Sequence, residues 1–120
     1  LLPKEIKLTS AITQWGNIGA LVFGFSSKNN HIIKRSMNDV VVEPIRSGLI
    51  KGFNPIKKYA LEAGALGCSI SGSGPTIFAL CDSEEISKKI QNYSDDYYKS
   101  LSMGCDTYIS NINHNGPVVL

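Results

Sequence analysis

Glycines and small hydroxyl residues are concentrated in one short stretch of the chain, from Gly64 to Thr76, which reads Gly-Ala-Leu-Gly-Cys-Ser-Ile-Ser-Gly-Ser-Gly-Pro-Thr. Gly72 and Gly74 can adopt positive φ and allow close approach of a ligand, because they carry no Cβ. Successive N–H groups in such a turn can form a concave site for an anion. The stretch therefore predicts a loop that contacts a phosphate or another anion. The alternative is a glycine-rich hairpin whose serines face solvent.

The two best-known glycine motifs for phosphate binding are absent from this stretch. It contains no Gly-Lys-Ser/Thr, so it is not a P-loop, and it leads into a strand rather than a helix, unlike the Rossmann fingerprint. Leu66, Cys68 and Ile70 alternate with small residues, which predicts a half-buried strand. Residues 76–81 form a continuous β-prone run, which predicts a second, more buried strand.

Arg46 is the second candidate for chemistry, in the sequence Asp39-Val-Val-Val-Glu43-Pro44-Ile-Arg46. Pro44 is expected to stop any helix here and to bias Glu43 toward an extended conformation. A guanidinium held by a rigid backbone can bind a carboxylate through two parallel hydrogen bonds. The alternative is a surface ion pair between Arg46 and either Asp39 or Glu43.

The composition describes one ordinary globular domain of 120 residues. A net charge of +2 is too small to indicate binding to nucleic acid or to a membrane. No apolar run approaches the roughly 20 residues of a membrane span, and the first residues lack the pattern of a signal peptide. Cys68, Cys81 and Cys105 form no Cys-x-x-Cys pair, so we expect buried structural thiols in a reducing cytoplasm.

Helical periodicity predicts the elements that position these groups. A long helix is expected from about residue 4 to 25, with a buried face made of Ala11, Trp15, Ile18, Val22 and Phe25. Its glycines (Gly16, Gly19 and Gly24) predict close packing of another element rather than of a ligand.

Further helices are expected at residues 31–38, at 54–63 with an Asn54 cap, and after Asp82, which has capping-box spacing to Glu85. Residues 105–112 are expected to form a final strand, and residues 114–120 an extended exit. His31 and the Asp95-Asp96 pair are interpreted as solvated groups rather than metal ligands. The order predicts an α+β fold with helices on one face of a small, mostly antiparallel sheet.

The string from Gly64 to Thr76 resembles the third motif of the GHMP small-molecule kinases, which include galactokinases, mevalonate kinases and homoserine kinases. The run Asp39, Glu43, Pro44 and Arg46, followed by Leu-Ile-x-Gly-Phe at residues 49–53, is similar to the homoserine kinases in particular. The resemblance covers nearly the whole chain. It implies that residues 1–120 are the ferredoxin-like, two-layer C-terminal domain of such a kinase.

The resemblance also implies roles for individual residues. Arg46 is expected to bind the substrate carboxylate, and the turn is expected to close the site, which gives a substrate-binding set of Arg46, Ser71, Gly72, Ser73 and Gly74. The same turn is expected to contact the phosphate-binding loop of the other lobe through Gly72, Ser73, Gly74 and Thr76. No catalytic residue and no metal ligand is expected within this chain.

The nucleotide-binding lobe of these kinases carries a Pro-x-x-x-Gly-Leu-Gly-Ser-Ser loop, and no such string occurs here. Phosphoryl transfer depends on positioning and on charge neutralisation at the phosphates. The resemblance therefore implies a cytoplasmic enzyme that uses ATP, Mg²⁺ and L-homoserine only when its N-terminal lobe is present, while this chain alone is inactive and binds no cofactor. A homodimer is compatible with the family. Two alternatives stay open: a related GHMP kinase with another small acidic substrate, and a stand-alone ferredoxin-like module that binds an amino acid or regulates.

Overall fold

A computed structural model describes residues 2–116 of the chain. It combines helices with one antiparallel hairpin, as expected for the α+β class. A single 3₁₀ turn at Ser47–Leu49 follows the third helix. The elements in chain order are α1 (Leu8–Ser26), α2 (Asn30–Ser36), α3 (Glu43–Arg46), α4 (Phe53–Glu62), β1 (Gly67–Ile70), β2 (Ile77–Leu80) and α5 (Glu84–Ser100).

The hairpin supports the glycine-rich turn on two short strands. Gly67 of β1 is opposite Leu80 of β2, and Ile70 is opposite Ile77 at the turn end. The prediction of a more buried second strand is wrong, because Phe78 of β2 is 40% exposed. An antiparallel sheet commonly packs one face on the core and leaves the other face in solvent, which accounts for the exposure of Phe78.

The core lies between the hairpin and helices α4 and α5. Ala60 of α4, Ala65, Cys68 of β1 and Ile90 of α5 are buried together at its centre. Small residues at three of these four positions let the helices approach the sheet closely. Tyr59 and Tyr93 extend the contact between α4 and α5, with ring centroids 3.9 Å apart and an interplanar angle of 4°.

The predicted buried face of α1 is mostly wrong. Trp15, Ile18 and Val22 are 64%, 53% and 65% exposed, and only Ala11 of the predicted set is buried. The side that contacts the rest of the chain instead carries small and polar residues. Asn17 donates to the Asn38 carbonyl at 2.8 Å and Gln14 accepts from the Val40 N–H at 3.0 Å.

The glycines of α1 divide in the same way. Buried Gly24 packs closely on α2, where an added Cβ would lie 3.0 Å from the side chain of Ile33, so the predicted close packing is confirmed there. A Cβ added to Gly16 or Gly19 would meet no packing neighbour within 4 Å among the described residues, so the predicted close packing is absent at these two positions.

Three local expectations about helix starts are corrected. Pro44 does not stop the helix but lies in the first turn of α3, where its missing N–H removes no helical hydrogen bond. Helix α4 begins at Phe53 after Gly52, whose φ of 89° requires a glycine-like conformation, so Asn54 is not the cap. The cap of α5 is Ser83, which accepts from the Ile86 N–H, and not Asp82.

The predicted final strand at residues 105–112 is absent. Tyr108 and Ile112 are 87% and 61% exposed, and no strand among residues 2–116 pairs with this segment. A β-prone sequence forms a strand only when a neighbouring strand accepts its hydrogen bonds. The segment is instead attached to α5 through Gln91, which donates to the Thr107 hydroxyl at 3.1 Å. The expected exit at residues 114–120 lies partly outside the described residues, since residue 1 and residues 117–120 are not described.

The expectation of three buried thiols holds for Cys68 alone. Cys81 is half-buried and Cys105 is exposed on the segment after α5. Within the described part of the chain, no helix has the combined length and apolarity needed to cross a bilayer.

Candidate functional site

The segment that carries Arg46 lies along β1 and the glycine-rich turn. Ser69 Oγ donates to Glu43 Oε2 at 2.7 Å, and one turn of helix further on Arg46 Nη1 donates to the Ser73 carbonyl at 2.9 Å. The structure therefore brings Arg46 and the turn together, although 27 residues separate Arg46 from Ser73.

The backbone of this segment is fixed by the carboxylate of Asp39. Its Oδ1 accepts from the N–H groups of Val41 and Val42 at 2.8 and 2.9 Å, and its Oδ2 accepts from the Glu43 N–H at 3.2 Å. A carboxylate is well suited to the unpaired N–H groups at a helix start. Asp39 thus holds the start of α3, and it forms no ion pair with Arg46.

Arg46 has no carboxylate partner among residues 2–116, so the alternative of a surface ion pair is not what the structure contains. Asp39 caps α3, and Glu43 pairs with Lys57. The half-buried guanidinium uses one hydrogen bond, to Ser73, out of the five N–H donors that an arginine carries. Its remaining donors and its positive charge stay available to an anionic group.

The turn has a defined backbone conformation. The Ser71 N–H donates to the Thr76 carbonyl at 2.8 Å, and the Gly74 N–H donates back to the Ser71 carbonyl at 3.1 Å. Gly72 and Gly74 have φ of 59° and 78°. The N–H groups of Gly72 and Ser73 donate to no acceptor in the described residues, which leaves two consecutive donors at an exposed tip.

The two glycines of the turn have different surroundings. A Cβ on Gly74 would lie 2.8 Å from Ile50 Cδ1 and 3.3 Å from Ile70 Cγ2, so the close approach at this position is made by the protein itself. A Cβ on Gly72 would meet nothing within 4 Å. Gly74 is therefore a packing residue as well as a turn residue, whereas only Gly72 borders open space.

The predicted site residues form one group, with Thr76 at its margin. Arg46 contacts the turn formed by Ser71, Gly72, Ser73 and Gly74, while Thr76 lies at the base of the turn through its carbonyl bond to Ser71. Within the described residues, no set of three or more His, Cys, Asp or Glu side chains could hold a metal ion. The chemistry that this group offers is recognition of anions by a guanidinium and by backbone N–H groups.

A buried polar cluster that the sequence patterns did not indicate lies next to this site. Glu43 is only 9% exposed; Lys57 of α4 donates to its Oε1 and Ser69 donates to its Oε2. The available signal was weak: Lys57 follows the buried Ile56 by one position and could equally have been a solvated lysine.

Cys68 neighbours this cluster on β1. Burial raises the pKa of the Cys68 thiol to about 11, with Glu43 and Cys81 acting in the same direction and Lys57 opposing them. The thiol is therefore protonated at neutral pH and is not a nucleophile there.

Comparison with known proteins places these residues in a family. The family model described as "GHMP kinases C terminal" matches residues 19–99, which is more than half of the chain. The chain is similar to the homoserine kinase of Chloroherpeton thalassium, with 44% identity over 124 aligned positions covering 100% of this chain and 38% of that protein. It is 50% identical over 90 positions to the homoserine kinase of Chlorobaculum tepidum, covering 75% of this chain and 28% of the relative.

Among solved structures, the chain superposes on the crystal structure of homoserine kinase from Cytophaga hutchinsonii with a TM-score of 0.92. The two are 51% identical, and the match covers 99% of this chain and 38% of the other. The chain thus spans little more than a third of the length of these full-coverage matches.

Proposed function

The chain belongs to the GHMP kinase C-terminal family, and from that premise we propose that it is the substrate-side lobe of an ATP-dependent homoserine kinase. The observation that carries the proposal is the contact between Arg46 and Ser73, which joins a guanidinium without a carboxylate partner in the described residues to a turn with free N–H groups. The homoserine kinases that match at 44% and 51% identity support this choice of substrate.

In this proposal Arg46 binds the α-carboxylate of L-homoserine. A planar guanidinium can form two parallel hydrogen bonds to a carboxylate, which fixes the orientation of the amino acid as well as its position. The hydroxyl to be phosphorylated is at the other end of that small molecule. Binding the carboxylate therefore determines where the reacting oxygen lies.

The glycine-rich turn, in the same proposal, closes the site beside the phosphates of ATP. The N–H groups of Gly72 and Ser73 are the donors available for this, with the hydroxyls of Ser71, Ser73 and Thr76 around them. Mg²⁺, when bound in the whole enzyme, neutralises charge on the transferring phosphoryl group. The described residues of this chain offer no cluster of carboxylates for that ion, so we assign its ligands to the N-terminal lobe.

We further propose that the N-terminal lobe covers the outer face of α1. This face is defined by Leu8, Ile12, Trp15, Ile18, Val22 and Phe25, which are between 44% and 68% exposed. Helix α1 contains no charged residue. Such a surface is typical of a protein–protein contact, and the relatives that align over the whole chain are more than twice its length.

The proposal places the enzyme in the cytoplasm, and the chain alone should neither bind cofactor nor catalyse transfer.

The test is ADP release with L-homoserine and Mg²⁺·ATP, measured for the full-length gene product and for the 120-residue chain alone. We expect homoserine-dependent turnover in the long protein and none in the short one. Turnover with a different small hydroxy acid in a substrate panel would assign another GHMP kinase activity. Tight binding of an amino acid by the isolated chain, without any turnover in the long protein, would favour the stand-alone module.

A further inference from the structure

Glu43 is the one carboxylate in the described residues that is buried. Both of its oxygens are satisfied by side chains, since Lys57 donates to Oε1 and Ser69 Oγ donates to Oε2 at 2.7 Å. Lys57 also lies over the Phe53 ring, with Nζ 5.8 Å from the centroid. Burying a charged carboxylate costs desolvation energy, which is offset only when its hydrogen-bond and ion-pair partners are well placed. Glu43 has such partners, which indicates that its position matters to the fold or to the site.

The three residues belong to three different elements. Glu43 opens α3, Lys57 lies in α4 and Ser69 lies in β1. The cluster therefore fixes a four-residue helix, which is too short to be stable alone, to two longer elements of the core. Glu43 and Arg46 are three positions apart on α3 and hence one turn from each other. Ser69 leads along β1 into the turn that contains Ser73.

We propose that Glu43, through Lys57 and Ser69, is a positioning residue for Arg46 and for the glycine-rich turn. The cluster sets the distance and orientation between the guanidinium and the turn at the point where a substrate carboxylate would enter. Glu43 is buried, and its two carboxylate oxygens accept from Lys57 and Ser69, so it acts in this proposal through the protein and not on the substrate. This inference rests on the proposed function of Arg46.

The variants for the test are made in the full-length gene product. Glu43→Gln keeps the shape of the side chain and removes its charge, while Ser69→Ala removes a single donor and is the milder change. We expect the homoserine KM to rise about tenfold in Glu43→Gln and to a lesser degree in Ser69→Ala. The ATP KM should rise less than the homoserine KM, because the cluster reaches ATP only through the glycine-rich turn, whereas it reaches homoserine through Arg46.

A matched control is available at the C-terminal end of α4. Glu62→Gln makes the same chemical change at an exposed i,i+4 partner of Lys58, 3.9 Å from its Nζ. We expect this variant to leave both KM values unchanged. The decisive variant is Glu43→Gln combined with Arg46→Ala, whose homoserine KM should equal that of Arg46→Ala alone, since Glu43 acts on homoserine binding only through Arg46.

If the effects of Glu43→Gln and Arg46→Ala on the homoserine KM are additive, the proposal is wrong, because Glu43 would then act on homoserine by a route other than Arg46. An unchanged homoserine KM in Ser69→Ala would also overturn it, even if Glu43→Gln failed to fold.

Amide hydrogen exchange separates this inference from the proposed function. Faster exchange in residues 43–49 and 71–76 of Glu43→Gln, but not of Glu62→Gln, supports anchoring by the cluster whatever the substrate is. Absence of homoserine turnover in the unmodified protein would withdraw the substrate role only, whereas unchanged exchange in Glu43→Gln would withdraw the positioning role.

Discussion

Arg46 Nη1 donates a hydrogen bond of 2.9 Å to the main-chain oxygen of Ser73, so the guanidinium and the glycine-rich turn hold each other in place. The bond uses the carbonyl of Ser73 and leaves the N–H of the same residue free within the described chain. An anion bound between them would meet positive charge on one side and N–H groups on the other. In the proposed function, one side chain therefore connects substrate recognition with the conformation of the turn.

Arg46→Ala in the full-length protein should raise the homoserine KM by about 10- to 100-fold, since a hydrogen bond to a charged group contributes about 1.5–3 kcal/mol. The KM for ATP should rise less than the homoserine KM, because Arg46 reaches ATP only through its hydrogen bond to the turn. Arg46→Lys should recover only part of the loss, because an ammonium cannot form the two parallel bonds. Steady-state kinetics with each substrate varied in turn measures both effects.

Arg35→Ala is the matched control, because Arg35 is exposed on α2 and its substitution removes the same positive charge. A homoserine KM that stays within about twofold in Arg46→Ala would contradict the carboxylate role, given the size expected for such a contact.

The features that could be predicted from the sequence are those that depend on residues close together in the chain. The glycine-rich hairpin, with Leu66 to Ile70 entering it, could be predicted because alternation and turn residues depend on neighbours in the chain. Arg46 could be singled out because Asp39, Glu43 and Pro44 precede it at fixed spacing. Its contact with Ser73 could not be deduced from composition, since it joins residues 27 positions apart.

Other features depend on what surrounds each element. The apolar stripe of α1 was expected to face the core, yet Gln14, Asn17 and Gly24 are the residues that contact the rest of the chain. Periodicity identifies an apolar face but does not say which partner covers it. The role of Glu43 was missed for the same reason, because its partners Lys57 and Ser69 come from other elements.

Gly74→Ala is expected to lower the free energy of unfolding by about 2–4 kcal/mol, combining the strain of positive φ with overpacking. The overlap is with one atom, Ile50 Cδ1, at 2.8 Å from the added Cβ. Ile50→Val removes that atom, so the loss in the Gly74→Ala/Ile50→Val double variant should be smaller than the sum of the single losses. Urea denaturation of the four proteins gives the comparison.

Gly72→Ala serves as the control for backbone strain alone, since nothing lies within 4 Å of its added Cβ. It should cost only about 1–2 kcal/mol and should not respond to Ile50→Val. Full additivity between Gly74→Ala and Ile50→Val would show that the clash at Ile50 does not determine the stability of the turn.

The stability of the protein should decrease in alkaline solution in a manner that depends on Cys68. Burial raises the pKa of its thiol from 9.0 to about 11, so the folded state favours the protonated form. The resulting contribution to stability is fully present below pH 9 and is lost as the pH rises toward 11. Unfolding free energies measured across this range should fall more steeply for the original protein than for Cys68→Ala. Parallel slopes would contradict the burial of this thiol.

Alkylation of the isolated chain gives an independent measure of the same burial. Cys105 is exposed, Cys81 is half-buried and Cys68 has no exposed surface. A maleimide reagent at neutral pH should therefore modify Cys105 first and Cys68 only after unfolding, because reaction requires an accessible thiolate. Peptide mass spectrometry at successive times identifies the order, and early modification of Cys68 would be incompatible with the core described above.

If the N-terminal lobe covers the outer face of α1, one substitution on this face should have different effects on the isolated chain and on the full-length protein. Val22 is 65% exposed in this chain, so Val22→Glu should have little effect on the thermal midpoint of the isolated 120-residue chain. In the full-length protein the same glutamate would be buried against the N-terminal lobe without a partner, which is expected to cost several kcal/mol. The midpoint and the homoserine-dependent rate of the long protein should therefore both fall. Thr13→Glu is the control, at an exposed position outside this face, and it should change the thermal midpoint of neither form. If Thr13→Glu and Val22→Glu lower the midpoint of the long protein equally, the lobe does not cover this face.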